Sequence, residues 1–264
     1  MTSTYRRLRN AALVTAATTM MAAMPAMAAS LIGLAGDKTL VTIDPATRMV
    51  TATATVSGVP GLVGIDVRPA DGMLWGLATD GRIVTVDPMT GMAMVKSTLS
   101  EKLTGVTGIT VDFNPAADRL RVMTPDGTNL RVNVDDGKAV VDGGLKYSDM
   151  HKGEAPDIIA GAYTNSVNGR KAEATALYDI DATIGALIKQ SPPNDGVLQA
   201  VGKLGLTVDR PMAFNIVADG MGGNTAWLVN GGRLYSVDLM TGKATSAGMI
   251  NGAPAPITDI AWME

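Results

Sequence analysis

Residues 108–137 read GITVDFNPAADRLRVMTPDGTNLRVNVDDG. Val111 and Phe113, then Leu120 and Val122, then Leu130, Val132 and Val134 keep the apolar period of two that a pleated strand requires. Asn114-Pro115-Ala116-Ala117-Asp118 and Pro125-Asp126-Gly127 separate the three runs with turn-forming residues. This is one unit of a repeat. A shared turn before the last strand recurs as Ile43-Asp44-Pro45-Ala46-Thr47-Arg48, Val86-Asp87-Pro88-Met89-Thr90-Gly91, Val134-Asp135-Asp136-Gly137 and Val237-Asp238-Leu239-Met240-Thr241-Gly242. The fourth unit offers two segments, 180–185 and 191–196, and the second leaves room for strands on both sides. Position 48 and glycines 91, 137, 196 and 242 are then spaced by 43, 46, 59 and 46 residues. Short strands at that period indicate propeller blades, in which each small sheet buries its faces against its neighbours.

The ends of the chain complete the pattern. Leu31-Ile32-Gly33-Leu34 matches Leu74-Trp75-Gly76-Leu77, a second strand, so the first blade lacks its innermost strand. Ile257-Thr258-Asp259-Ile260-Ala261-Trp262 resembles the first strands beginning at Gly64 and Thr110 and supplies it. The expected fold is all-β, a five-bladed propeller closed by pairing of the C-terminal strand with the N-terminal blade, which removes an open sheet edge. Its blades are 257–263 with 31–57, then 62–99, 106–147, 157–202 and 211–250. An open β-solenoid or a sandwich is the competing architecture.

Residues 1–28 stand outside this fold. Arg6, Arg7 and Arg9 precede a short apolar run, and Ala26-Met27-Ala28 is an A-x-A cleavage pattern. Together they predict a secretory signal peptide cleaved before Ala29, a propeller domain over 29–264, and a periplasmic or extracellular location. Without those three arginines the chain carries 19 basic and 25 acidic residues. A net acidic chain without basic clusters argues against nucleic acid as partner, and no later segment is apolar enough to span a membrane. With no cysteine there is no disulfide and no thiol chemistry.

The segments VDFNPAADRLRV, NLRVNVDDG, AYTNS, LYDID, QSPPNDG and VGKLG resemble the DUF4394 family, an exported bacterial domain of unknown function. The resemblance covers about Leu31 to Trp262. It implies a propeller-like β fold outside the cytoplasm. It implies no activity and supplies no catalytic residues.

Several constellations bear on chemistry. Aligned first strands place Asp259, Asp66 and Asp112 at one level, with Asn215 in blade 5 and Ala162 in blade 4. First strands line a propeller's channel, so these oxygens could share a cation, and hard oxygen ligands suit Ca²⁺. The alternative is that each Asp bonds the backbone of the adjacent blade. Arg119 and Arg121 share one strand face, and Arg131 lies on the next strand. They read either as an anion site or as a salt-bridged blade interface, with Asp112 or Asp118 as the nearest carboxylates. Met89, Met92 and Met94 lie within six residues and invite a copper reading, against gap-filling as the ordinary role of methionine. His151 is the only histidine, which excludes multi-histidine metal sites. The extra segments at 142–157 and 166–171 are expected on one rim, where a ligand or partner surface would sit.

These features favour a non-catalytic binding or interaction module for an unknown protein or small molecule. The alternative is a Ca²⁺-assisted hydrolase or lactonase with its site in the central channel; a purely structural envelope protein is a third reading.

Overall fold

The computed structural model describes Met1 and residues 29–105, 107–148 and 150–264. The leader read over residues 1–28 lies, Met1 aside, outside the described residues. The first sheet contains β1 (Ser30–Ala35), β2 (Thr39–Ile43) and β3 (Val50–Thr55). The second is β4 (Leu62–Val67), β5 (Leu74–Ala78), β6 (Arg82–Val86) and β7 (Ala93–Thr98). The third is β8 (Thr110–Asn114), β9 (Arg119–Met123), β10 (Asn129–Val132) and β11 (Ala139–Val141). A short β12 (Lys146–Tyr147) then leads to β13 (Ile158–Tyr163), β14 (Leu177–Asp181), β15 (Ala186–Gln190) and β16 (Val197–Lys203). The fifth sheet is β17 (Met212–Ala218), β18 (Asn224–Asn230), β19 (Arg233–Val237) and β20 (Ala244–Met249), and β21 (Ile257–Met263) ends the chain.

β21 pairs antiparallel with β1, Leu31 opposite Trp262 and Leu34 opposite Asp259. The innermost strands β21, β4, β8, β13 and β17 stand side by side, and β17 returns to β21. The molecule is a five-bladed β-propeller whose first sheet is shared by both ends of the chain. β1 and β4 are buried at every position, whereas β3 and β7 run along the outside and alternate or face solvent. Five apolar clusters hold the ring, one for each pair of adjacent blades. Between blades 2 and 3, for example, Trp75 meets Phe113 edge-on at 6.1 Å between ring centroids.

The repeated turn has a physical explanation. The Asp87 carboxylate accepts the amides of Met89 at 2.8 Å and Thr90 at 3.1 Å, and Asp44 and Asp238 cap their own turns in the same way. The closing residue has positive φ, 73° at Gly91 and 74° at Gly137. Those two glycines also lie against the carbonyls of Thr55 and Thr98 on the preceding blade, where a Cβ would collide. Gly91 accepts a hydrogen bond from the Ser57 amide, and Gly137 accepts one from Ser100, so each turn ties its blade to the one before.

Two expectations require correction. Lys146–Tyr147 does not belong to blade 3. It pairs in parallel with β16 and adds a fifth strand to blade 4, because the Lys146 amide reaches the Gly196 carbonyl and the Tyr147 ring is buried among Ile158, Leu177 and Leu198. The two extra segments do not share a rim either. The first, over 143–148, runs along the outer edge of blade 4, and the second crosses one end of the channel.

Candidate functional site

The channel aspartates stand where the strand alignment puts them, and each links two blades. Asp259 Oδ2 accepts the Ile65 amide at 2.8 Å, Asp66 Oδ2 accepts the Phe113 amide at 2.7 Å, and Asp112 Oδ1 accepts the Tyr163 amide at 2.9 Å. Blades 1 to 4 are thereby joined in succession at the ring's inner wall. Asn215, from blade 5, donates to Asp66 Oδ1 at 3.4 Å. All four residues are buried. Burial pushes the Asp66 carboxyl up to about 7, against hydrogen bonds that favour its charged form. Burial, and then the neighbouring Asp66 charge, hold Asp112 well above the ordinary carboxylate range. Burial raises Asp259 in the same sense.

Alignment of first strands alone misses a fourth acid. Asp179 on β14 lies opposite Gly161, and its carboxyl occupies the space that a Cβ at 161 would take. Asp179 is wholly buried and neither oxygen has a hydrogen-bond partner. The legible signal was the pairing of a glycine on the inner strand with an acid on the second. Among the described residues no group of three or more His, Cys, Asp or Glu side chains is placed to hold a metal ion.

The segment between β13 and β14 closes one end of the channel. From blade 4 it reaches blade 2 through Gly169 N to Pro69 O at 2.8 Å, blade 3 through Ala172 N to Pro115 O at 3.1 Å, and blade 5 through Arg170 Nη2 to Gly220 O at 2.8 Å. Under it Asp66, Asp112, Asn215, Ser166 and Trp262 line a small cavity of about 30 Å³.

The opposite end is open. A cavity of about 650 Å³ is walled by Pro256 of blade 1, Leu62 of blade 2, Ile109 of blade 3, Ile159 of blade 4 and Met212 of blade 5. Its surface is mostly apolar, and its charged lining groups are Asp37 and Arg210. Arg210 is paired with Asp157 at the start of blade 4 and passes over Gly108 of blade 3. The funnel is walled where the innermost strands begin, with Leu62, Ile109, Ile159, Met212 and Ile257 at or beside their starts, and among the described residues no segment bonds across it.

The arginine face of blade 3 is joined to other parts of the protein. Arg121, 1% exposed, is paired with Asp142 at 2.7 Å, and its remaining contacts are Asn129 Oδ1 at 2.7 Å, Tyr163 Oη at 3.0 Å and Asn194 Oδ1 at 2.9 Å. Arg131 binds both oxygens of Asp142, at 2.7 and 2.9 Å. Arg119 donates to the Asp118 carbonyl at 2.7 Å. The sequence pointed to Asp112 or Asp118 as the partner. Asp112 instead faces the channel, and Asp118 is held by Arg68 of blade 2 at 2.6 Å, so the charge that neutralises Arg121 comes from the connection to blade 4.

Among solved structures, the chain is similar to a protein of unknown function from Bacteroides thetaiotaomicron VPI-5482, with 16% identity, a TM-score of 0.53, and coverage of 88% of this chain and 64% of that one. It is also similar to a protein of unknown function from Bacteroides caccae, with 12% identity, a TM-score of 0.44, and coverage of 89% and 99%. At such identities the first likeness is one of fold alone. No curated protein matches. The profile of the domain of unknown function DUF4394 matches residues 39–261, and the chain belongs to that family.

Proposed function

We propose that this chain is an exported, non-catalytic binding module that takes a small molecule into the open funnel of its ring. The observation that carries the reading is the cavity of about 650 Å³ to which every blade contributes. Its size and apolar walls suit a ligand with an apolar body, since small-molecule sites are typically concave, mostly apolar and about 300–1,000 Å³. Asp37 and Arg210 supply the polar contacts that would orient such a ligand at the rim. The A-x-A pattern before Ala29 supports export. Hydrolytic chemistry at the other end has less support: the cavity beside Asp66 and Asp112 is only about 30 Å³, well below the size typical of small-molecule sites.

The test is a thermal-shift and calorimetric screen of the protein with a set of amphiphilic and apolar small molecules, with Ca²⁺ and a chelator as separate arms. Thr107 lies on the exposed rim, so Thr107→Trp blocks the mouth without entering the core. A ligand that raises the melting temperature of the wild type and not of Thr107→Trp supports the reading. A complete absence of ligands, or equal response of both proteins, overturns it. A chelator-sensitive shift without any organic ligand would move the binding function to the aspartate end.

A further inference from the structure

After residue 28 the chain has twelve methionines, and nine of them are exposed: 49, 73, 89, 92, 94, 150, 221, 240 and 249. Among the described residues no leucine or isoleucine is exposed to that degree. General hydrophobicity does not account for this choice, because water disfavours leucine and methionine side chains to a similar extent. The thioether sulfur is the difference between them.

The exposed sulfurs are densest at one place. Met89, Met92 and Met94 are 62%, 55% and 57% exposed on the outer turn of blade 2 and the start of β7. Blades 1 and 5 provide an internal comparison, because they build the same Asp-capped turn with one methionine each. Equivalent positions hold Ala46, Met49 and Thr51 in blade 1, and Met240, Lys243 and Thr245 in blade 5. The turn therefore does not need three methionines in order to form. Its backbone is rigid: Asp87 binds the amides of Met89 and Thr90, the Gly91 amide reaches the Asp87 carbonyl at 2.8 Å, and the Asp87 amide reaches the Met92 carbonyl at 3.0 Å. Ala93 packs toward the core between blades 1 and 2, so Met92 and Met94 on either side of it share the opposite, outward direction. Lys96 is the next exposed residue beyond Val95 and leaves the thioethers as the soft donors of this surface.

We propose that the outer turn of blade 2 is a soft-metal site that takes one Cu(I) ion through Met89, Met92 and Met94. Thioethers are soft neutral ligands suited to Cu(I), and flexible unbranched side chains on a fixed turn can close around a single ion at small cost. The site is separate from the funnel, and neither reading depends on the other.

The experiment is an anaerobic titration of the protein with Cu(I) against a chromophoric Cu(I) chelator, with ascorbate present. The wild type is expected to retain one equivalent. Met89→Leu/Met92→Leu/Met94→Leu keeps the volume and apolarity of the exposed side chains, and should weaken retention at least tenfold while leaving the circular dichroism spectrum unchanged. Met240→Leu should bind as the wild type does. Failure of the wild type to hold copper against the chelator, or equal retention by the triple variant, overturns the site. An equal loss in Met240→Leu also overturns it, since binding would then be spread over the surface thioethers.

Discussion

Arg121 and Asp142 meet at 2.7 Å where blade 3 turns into blade 4, with side chains only 1% and 4% exposed. Among the described residues, this blade interface is the one that holds a buried arginine, together with Asn129, Tyr163 and Asn194. Its charge is tolerated because each of these contacts is made within the protein. Asp142→Ala would leave Arg121 buried without its counter-ion and would also release Arg131. We expect a loss of about 3–5 kcal/mol in urea unfolding, the usual cost of breaking a buried pair from one side. A loss below about 1 kcal/mol would show that water reaches the guanidinium and that the interface is held by its apolar residues.

The aspartates of the inner wall make stability depend on pH. Burial raises Asp66 from 3.8 to about 7, and raises Asp112, Asp259 and Asp179 in the same direction. A group whose folded value is raised stabilises the native state fully below its unfolded value and loses that contribution as pH rises through the folded value. The protein is therefore expected to melt at a higher temperature at pH 5 than at pH 8. Asp66→Asn keeps an oxygen to accept the Phe113 amide and removes the charge, so it should flatten the profile and raise the melting temperature at pH 8. A wild-type melting temperature that rises from pH 5 to pH 8 would contradict this account.

Asp179 offers a sharper case, since its oxygens have no hydrogen-bond partner and it is wholly buried. Asp179→Asn should stabilise the protein at pH 8 by about 1 kcal/mol or more, because an unpartnered buried charge is removed without a change of shape. The measurement is chemical denaturation at pH 8 and pH 5. Destabilisation at pH 8 would mean that the Asp179 charge is needed, with Arg121 as its closest candidate.

Gly91 is required twice, by its φ of 73° and by the Thr55 carbonyl in contact with it. Gly91→Ala should cost at least about 1–2 kcal/mol from the left-handed backbone alone, with the collision added to it. Gly81→Ala is a control, since φ there is 84° but nothing stands within 4 Å of the added methyl. Equal losses in the two variants would remove the close approach as a cause.

Closure makes the last prediction. Deleting residues 257–264 removes β21, uncovers the edge of β1, and strips Ile257 and Ile260 from the core between blades 5 and 1. The truncated chain should lose cooperative melting and associate through the open edge, as read by size-exclusion chromatography. A monomer melting as the full chain does would show that the ring does not need its closing strand.

Much of this was readable from residue order alone. Alternation in 108–137, the Asp-capped turns and the match of Leu31 to a second strand determine five blades and their closure, because strand period and turn chemistry are local properties of the chain. The same alignment puts Asp66, Asp112 and Asp259 on inner strands. What local rules do not contain is which residues meet across blades. Asp142 neutralises Arg121 from the next connection, and the segment between β13 and β14 bonds to three other blades through Gly169, Arg170 and Ala172, so that it crosses one end of the channel while the funnel opens at the other. Those contacts include Gly169 with Pro69, 100 positions apart, and they exist only once the ring has closed and fixed the distance between its blades.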